Sequence, residues 1–178
     1  ESRRKKKIQK NQFVLESTHG ESVGGHIFYM INEIQKQVPK HQIYIVSKHP
    51  ERHKLFLEEK GFKNFHIVQH LSEEYYELLA VSEFLINDTT FYPFFSKRRE
   101  QKYFIIWHGT PLKYMGKHME NVIDVANVQR NFYMADKIIV SNEHTKDILI
   151  ETHNLKNVYS GKIVVAPSPR NSIFFSTE

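Results

Sequence analysis

The sequence predicts an α/β protein built on a doubly wound parallel sheet, and three observations support this class. Apolar runs of strand length alternate along the chain with segments whose apolar residues recur at helical spacing. The strand cores are continuously apolar, which is typical of parallel strands covered on both faces. A length of 178 residues with 40% hydrophobic content suffices for one core and favours a single domain.

The first half of the chain contains three strand-to-helix units. The strands are predicted at 12–17, 42–48 and 64–69, and the helices at 24–38, 50–61 and 72–83. Pro39 lies just beyond the end of the first helix, Pro50 suits a first helical position, and Gly61 suits a C-terminal cap. Ser72 begins the third helix without the acidic partner of a full capping box, since Tyr75 occupies that position.

The second half continues the alternation with one interruption. Strands are predicted at 84–88, 103–108, 136–141 and 162–166, and helices at 120–134 and 143–154. The irregular segment "TTFYPFFSKRREQK" connects the first two of these strands. Residues 1–11 are strongly basic and are predicted to be a solvated linker or tail outside the folded domain of residues 12–178.

Composition excludes several classes of protein. The chain has no cysteine, so it has neither disulfides nor a thiolate metal site. Its longest apolar runs are of strand length, far short of the roughly 20 residues of a spanning helix. The formal charge of +5 and pI near 9.2 favour an anionic partner, which could be nucleic acid, a phosphorylated small molecule or a lipid surface.

Ligands of doubly wound sheets bind outside the carboxyl ends of the strands. Four loops leave predicted strands at this edge: "ESTHGESVGG", "NDTTFYP", "WHGTPLK" and "SNEHTKD". All four carry small, polar or ionisable residues. None has the G-x-G-x-x-G spacing of a dinucleotide fingerprint, so no nucleotide cofactor is predicted.

His108 is the candidate general base. It follows a buried strand directly and precedes Gly109, which leaves room for a ligand near the backbone. Imidazole titrates near neutrality and can accept the proton of an attacking alcohol, an effect worth about 10²–10⁴ in rate. Lys113 could hold a phosphate as a point charge. On spacing alone, the competing interpretation is a structural histidine that only forms a hydrogen bond.

Two interpretations remain open for each of the other polar candidates. His19 lies at another strand exit, where it either contacts substrate or bonds to the backbone. Asp88, next to Asn87, either orients a catalytic histidine or caps its own loop. The pairs His49/His53 and His66/His70 do not have the arrangement of a zinc site, and no metal is predicted.

Three strings resemble the CDP-glycerol glycerophosphotransferase family, which builds teichoic acids and related capsular polymers in bacteria. They are "NDTTFYPFF", "QKYFIIWHGTPLKYMGK" and "PSPRNSIFF", and "ESTHGES" is similar to the first strand-to-helix loop of the family. The resemblance runs from about residue 12 to the end. It implies a Rossmann-like fold like the N-terminal, acceptor lobe of a GT-B enzyme, ending at the crossover between lobes. Ser172 stands where the family commonly has aspartate.

The resemblance implies transfer of glycerol phosphate from CDP-glycerol to a hydroxyl of a polymer or lipid-linked primer, with release of CMP. His108 matches the catalytic histidine of the N-terminal lobe, with Asp88 as a candidate orienting residue. Substrate-binding positions are expected at Gly109, Thr110, Lys113, His19, Asn87 and Arg170. The resemblance also implies an enzyme that acts in the cytoplasm, at the inner face of the cell membrane, and that uses no cofactor. Most contacts to CDP-glycerol belong to a second lobe, so this chain alone is expected to be inactive.

Three alternatives stay open at this stage. The chain could be a non-catalytic module that binds the acceptor or docks to an anionic membrane, using the basic run of residues 3–7. The donor could be another CDP-polyol, such as CDP-ribitol. Nucleic-acid binding is disfavoured, because the aromatic residues fall in apolar strands and helices and do not alternate with Arg and Lys on one face.

Overall fold

A computed structural model describes residues 2–38, 40–112 and 114–175. Its centre is one seven-stranded sheet in which all neighbouring strands pair in parallel. The strands are β1 (Gln9–Glu16), β2 (Gln42–Ser47), β3 (Phe65–Gln69), β4 (Ser82–Asn87), β5 (Lys102–Ile106), β6 (Lys137–Val140) and β7 (Lys162–Val165). Their order across the sheet is β3-β2-β1-β4-β5-β6-β7. The predicted doubly wound α/β class is confirmed.

Five helices connect the strands close to their predicted positions. They are α1 (Gly25–Gln37), α2 (Pro50–Glu59), α3 (Glu73–Val81), α4 (Val122–Met134) and α5 (Glu143–Thr152). The side chains of Ser72, Asn121 and Asn142 accept hydrogen bonds from the first-turn amides of α3, α4 and α5. None of the helices in the described ranges is both long enough and apolar enough to cross a lipid bilayer.

Two boundaries differ from the sequence prediction. Residues 82 and 83 were expected in a helix but begin β4, because Ser82 is buried and pairs with Gln9. The predicted basic tail overlaps the fold, since β1 begins at Gln9 and Ile8 is 8% exposed. Arg3 and Lys6 form ion pairs with Glu73 and Glu77 of α3. The apolar Ile8 and these carboxylates draw the segment onto the domain.

The sheet separates two apolar layers, as its continuously apolar strands predict. On one face, α1 and α2 pack through Ile27, Ile31 and Leu57 against Leu15 and Ile45. The other face is covered by α3, α4 and α5, and its buried members include Tyr75, Phe132, Leu149, Tyr103 and Ile105. Each layer therefore excludes water from one face of the same strands.

The connection from β4 to β5 has no helix in residues 88–101, all of which are described. Side chains of α4 satisfy its backbone. Arg130 donates hydrogen bonds to the carbonyls of Phe95, Tyr92 and Pro93. Asn131, which is fully buried, accepts from the Phe91 amide at 3.0 Å and donates to the Phe91 carbonyl at 2.9 Å. These bonds fix the loop that begins at Asp88.

The strand order reverses direction between β1 and β4. From β1 the chain winds outward through β2 and β3, then returns to β4 on the opposite side. The loops that leave β1 and β4 therefore diverge over opposite faces of the sheet and open a crevice at its carboxyl edge. Such a topological switch point is where ligands bind in open α/β sheets.

Four histidines are buried, and their titration predicts acid sensitivity. Burial lowers the pKa of His26, His53, His70 and His153. Because the unfolded chain takes up protons near pH 6.5 and these folded sites resist them, the free energy of unfolding should fall as pH drops below about 6.5. The slope is at most about 1.4 kcal/mol per pH unit for each histidine.

Urea denaturation at several pH values between neutral and mildly acidic measures this slope. His153→Gln should reduce it, and the matched variant His144→Gln, on the exposed face of α5, controls for the loss of an imidazole as such. A free energy of unfolding that is flat across this range would contradict the assignment of these histidines as neutral in the folded protein.

Candidate functional site

Asp88 links the two loops at the switch point. It follows β4, it is 6% exposed, and its carboxylate accepts hydrogen bonds from Ser17 Oγ at 2.6 Å and from the Thr18 amide at 2.9 Å. Ser17 and Thr18 belong to the loop that leaves β1. The Asp88 carboxylate therefore caps this neighbouring loop, and the two loops are held as one unit.

His108 lies beside this unit, two residues after β5. Its Nδ1 is 2.9 Å from the backbone carbonyl oxygen of Asp88. Since a carbonyl can only accept, Nδ1 carries the proton in the neutral ring and Nε2 keeps its lone pair. The His108 ring packs against buried Trp107 at 4.5 Å between centroids, and the residue is exposed. The ring is thus fixed on one side and open to solvent on the other.

The residues after His108 differ in what they can offer a ligand. Gly109 has no atom within 4 Å of the position that a Cβ would occupy, so the space beside it is open. Thr110 Oγ1 accepts hydrogen bonds from Asn142 Nδ2 at 3.1 Å and Thr145 Oγ1 at 3.3 Å, which tie it to the start of α5. Lys113, expected to hold a phosphate, lies outside the described residues.

Asn87 does not join the other candidates. It is fully buried as the last residue of β4, and its amide group exchanges hydrogen bonds with the Tyr103 hydroxyl inside the core. Its side chain points away from the crevice, and the expectation of substrate contact does not fit this position. All of the last three residues of β4 are buried, so the usual alternation of faces gave no sign of its direction.

Arg170 follows the last strand of the sheet. It is exposed in a 3-10 segment, Pro169–Phe175, that packs against α1. Its charge acts on His26, the second residue of α1, which is only 2% exposed. Burial, then Arg170, lower the pKa of His26, while Asp88 opposes them. His26, at the amino end of α1, therefore lies within electrostatic range of both Asp88 and Arg170.

Two buried residues of this region were not identified as candidates from the sequence. Glu16 ends β1 with its side chain fully buried. His26 has no hydrogen-bond partner for either ring nitrogen among the described residues. A charged residue inside the apolar run "QFVLES" was a visible signal for Glu16, whereas His26 differs in no visible way from a surface residue of an amphipathic helix.

The arrangement can perform proton transfer next to an anion. His108 presents a free Nε2 at an open edge, and Arg170 supplies a positive charge near the same crevice. Within residues 2–38, 40–112 and 114–175, no three His, Cys, Asp or Glu side chains are grouped to hold a metal ion. The candidate site offers an imidazole ring and a cationic side chain.

Solved structures share this fold. The structure of the wall teichoic acid polymerase TagF is 22% identical to the chain with a TM-score of 0.78, and the match covers 94% of this chain and 41% of the TagF chain. A TagF variant soaked with CDPG is 20% identical with a TM-score of 0.80 over the same shares. The chain thus spans about two fifths of the length of these structures. No curated protein matches it.

A family sequence model gives the assignment. The model described as CDP-Glycerol:Poly(glycerophosphate) glycerophosphotransferase matches residues 1–178, the whole of the sequence. The match includes the "WHGTPLK" loop with His108 and the Asp88 loop that anchors it. This chain belongs to the CDP-glycerol:poly(glycerophosphate) glycerophosphotransferase family.

Proposed function

We propose that this chain is the acceptor-side lobe of an enzyme that transfers glycerol phosphate from CDP-glycerol to a hydroxyl of a teichoic-acid-like or capsular polymer, or of its lipid-linked primer. One observation carries the proposal. His108 is held through Nδ1 on the Asp88 carbonyl, so its Nε2 lone pair faces the open carboxyl edge. This is the orientation that a general base for an alcohol requires.

The reaction follows from this orientation. The acceptor hydroxyl oxygen attacks the phosphorus that carries the glyceryl group, and its proton passes to Nε2 of His108. The bond between that phosphorus and the oxygen of CMP breaks, CMP leaves as an anion, and a phosphodiester remains. Arg170 stabilises charge on the phosphates, and Gly109 lets the substrate approach the backbone.

Asp88 has a different role from the one that its position first suggested. Its backbone carbonyl orients His108, and its carboxylate fixes the loop of Ser17 and Thr18. Through these bonds a single residue sets both the ring orientation and the adjacent loop. The role belongs to the backbone oxygen, so a change of the Asp88 side chain acts on His108 only through the shape of the loop.

In this proposal, the enzyme acts on acceptors at the inner face of the cell membrane. The basic segment contributes less charge than its sequence suggests, since Arg3 and Lys6 are paired with carboxylates of α3. Lys5 and Lys7 remain exposed. A non-catalytic docking module is the second candidate, favoured by the exposed apolar side chains Leu112, Tyr114, Val122 and Ile123 near the site.

A donor assay with the full-length protein separates these candidates. CDP-glycerol or CDP-ribitol is supplied with a polymer acceptor, and CMP release and the mass of the product are measured. We expect release of CMP and growth by glycerol phosphate units. Acceptor binding without CMP release from either donor would reject the enzyme and select the docking module.

The isolated 178-residue chain provides the companion measurement. It should fold but show no transfer above background, because catalysis in a two-lobed transferase depends on closure that brings donor and acceptor together. Calorimetric titration with CDP-glycerol should show weak or no binding, since the strand-exit loops have no nucleotide fingerprint. Micromolar binding would place the donor site on this lobe and contradict the division.

A further inference from the structure

Glu16 is a fully buried carboxylate whose hydrogen bonds are incomplete. Its Oε2 accepts a hydrogen bond from the hydroxyl of Tyr75, which is itself buried, at 2.7 Å. Its Oε1 is buried and has no hydrogen-bond partner among the described residues. Removing a carboxylate from water costs several kcal/mol unless a partner compensates. A group that could do so is the Nδ1 atom of His19, at 3.7 Å.

His19 is held over this carboxylate by a constrained loop. Thr18, His19 and Gly20 have φ angles of 48°, 52° and 81°, so three consecutive residues are left-handed. For Thr18 and His19 this conformation costs on the order of 1–3 kcal/mol each and persists only when the surroundings impose it. The Thr18 amide is bound to Asp88, and the Gly20 carbonyl accepts from the Lys48 amide at 2.8 Å.

One edge of the His19 ring faces the protein interior, and the other edge faces the crevice. Its Nδ1 is buried without a hydrogen-bond partner, while the side chain as a whole is 35% exposed. The exposed part is therefore the opposite edge of the ring, which carries Nε2. Tyr92 packs against the ring at 5.0 Å between centroids and limits its rotation. The Nδ1–Oε1 distance of 3.7 Å is about 0.7 Å longer than a normal hydrogen bond, so the pairing that we propose requires a small tilt of the ring.

His19 and His108 thus have similar settings on the two strands that flank β4. Each ring faces an oxygen through Nδ1, which is the Glu16 carboxylate in one case and the Asp88 carbonyl in the other. The two residues leave β1 and β5, with β4 between them. Strands are about 4.8 Å apart, so the two positions are separated by roughly 10 Å across the sheet. This spacing suits one extended substrate that contacts both rings.

We propose that Glu16 fixes His19 with its proton on Nδ1, and that His19 Nε2 accepts a hydrogen bond from a polyol hydroxyl of the substrate. Glu16 is then a positioning residue, since it acts through His19. The inference rests on the proposed function for the identity of the polyol. It differs from the role of His108 because no bond forms or breaks at His19.

The tautomer of His19 tests the first half of this proposal. Long-range ¹H–¹⁵N spectra of the 178-residue chain report which ring nitrogen carries the proton, and His19→Asn, which suits a left-handed position, identifies the His19 signals. We expect the Nδ1–H form in the parent protein. In Glu16→Gln the amide can donate to Nδ1, so the proton should move to Nε2.

Glu21→Gln is the matched control, because Glu21 lies in the same loop but pairs with Lys48 at 2.6 Å and is half exposed. It should leave the His19 tautomer unchanged. If Glu16→Gln and the parent protein show the same tautomer while both remain folded, Glu16 does not position His19 and the proposal is overturned.

Titration with small ligands tests the second half. Glycerol and glycerol 3-phosphate should shift the His19 Nε2 signal, and inorganic phosphate should not. In Glu16→Gln the response should weaken, because the ring is no longer fixed by the carboxylate and its Nε2 no longer presents a lone pair to the hydroxyl. An equal response to inorganic phosphate would show that the ring contacts an anion. The absence of any response would show that the ring contacts none of these ligands. Either result rejects the proposed hydrogen bond between His19 Nε2 and a polyol hydroxyl. No turnover is measured, so failure here is separate from failure of His108 as a base.

Discussion

Replacing His108 by alanine in the full-length protein should lower turnover by about 10²-fold or more, because in the proposed reaction the acceptor hydroxyl then loses the group that takes its proton. The change should leave the fold intact, since His108 is exposed and its hydrogen bond at Nδ1 is to a loop carbonyl. Turnover is measured as CMP release at saturating donor and acceptor. The circular dichroism spectrum reports the fold of the variant.

His66→Ala is the control for this experiment. His66 is also an exposed histidine on a strand of the same sheet, but it lies within β3 and away from the switch point. Its replacement should leave turnover within a few-fold of the parent enzyme. Near-normal turnover of His108→Ala with an unchanged spectrum would remove His108 from the role of general base.

Gly116→Ala is expected to have the largest effect on stability. Gly116 is buried with a φ of 54°, and an added Cβ would collide with the carbonyl oxygen of Thr152 and lie 2.6 Å from its carbonyl carbon. These are backbone atoms at the end of α5, so they cannot rotate away. The left-handed conformation and the overpacking together should reduce the free energy of unfolding by about 3 kcal/mol or more.

Gly109→Ala is the matched control for stability, as Gly109 lies in the same loop region with open space at its Cβ position. Urea denaturation of both variants should show a large loss for Gly116→Ala and a change within about 0.5 kcal/mol for Gly109→Ala. A small effect at Gly116 would mean that residues 114–118 are not packed on α5 in solution.

Much of the fold follows from local sequence patterns. Each of the seven strands and five helices was predicted within a few residues, since apolar periodicity and capping residues are local properties. The overlap at Ser82 and Glu83 arose because an apolar helix end and an apolar strand start are continuous in sequence. Only the pairing of Ser82 with Gln9, more than 70 positions away, ends the helix.

The site was predictable in position but not in its internal contacts. Strand-exit loops indicated where His108 and Asp88 lie, because parallel strands end at one edge. That the Asp88 backbone, and not its carboxylate, holds His108 depends on the relative height of two strands, which no local pattern reveals. The pairing of Glu16 with Tyr75, 59 residues away, depends in the same way on the packing of α3 under β1.

The helix-free connection between β4 and β5 has a consequence for partial unfolding. Its carbonyls and the Phe91 amide are satisfied by Arg130 and Asn131, 35 to 40 residues further along the chain. If α4 detaches, these groups lose their partners together, and the segment that starts at Asp88 is released while β1, β2 and β3 keep their own pairing. The support of His108, the proposed general base, therefore belongs to a cooperative unit centred on α4, and local unfolding of that one helix would disrupt the candidate site before the sheet unfolds.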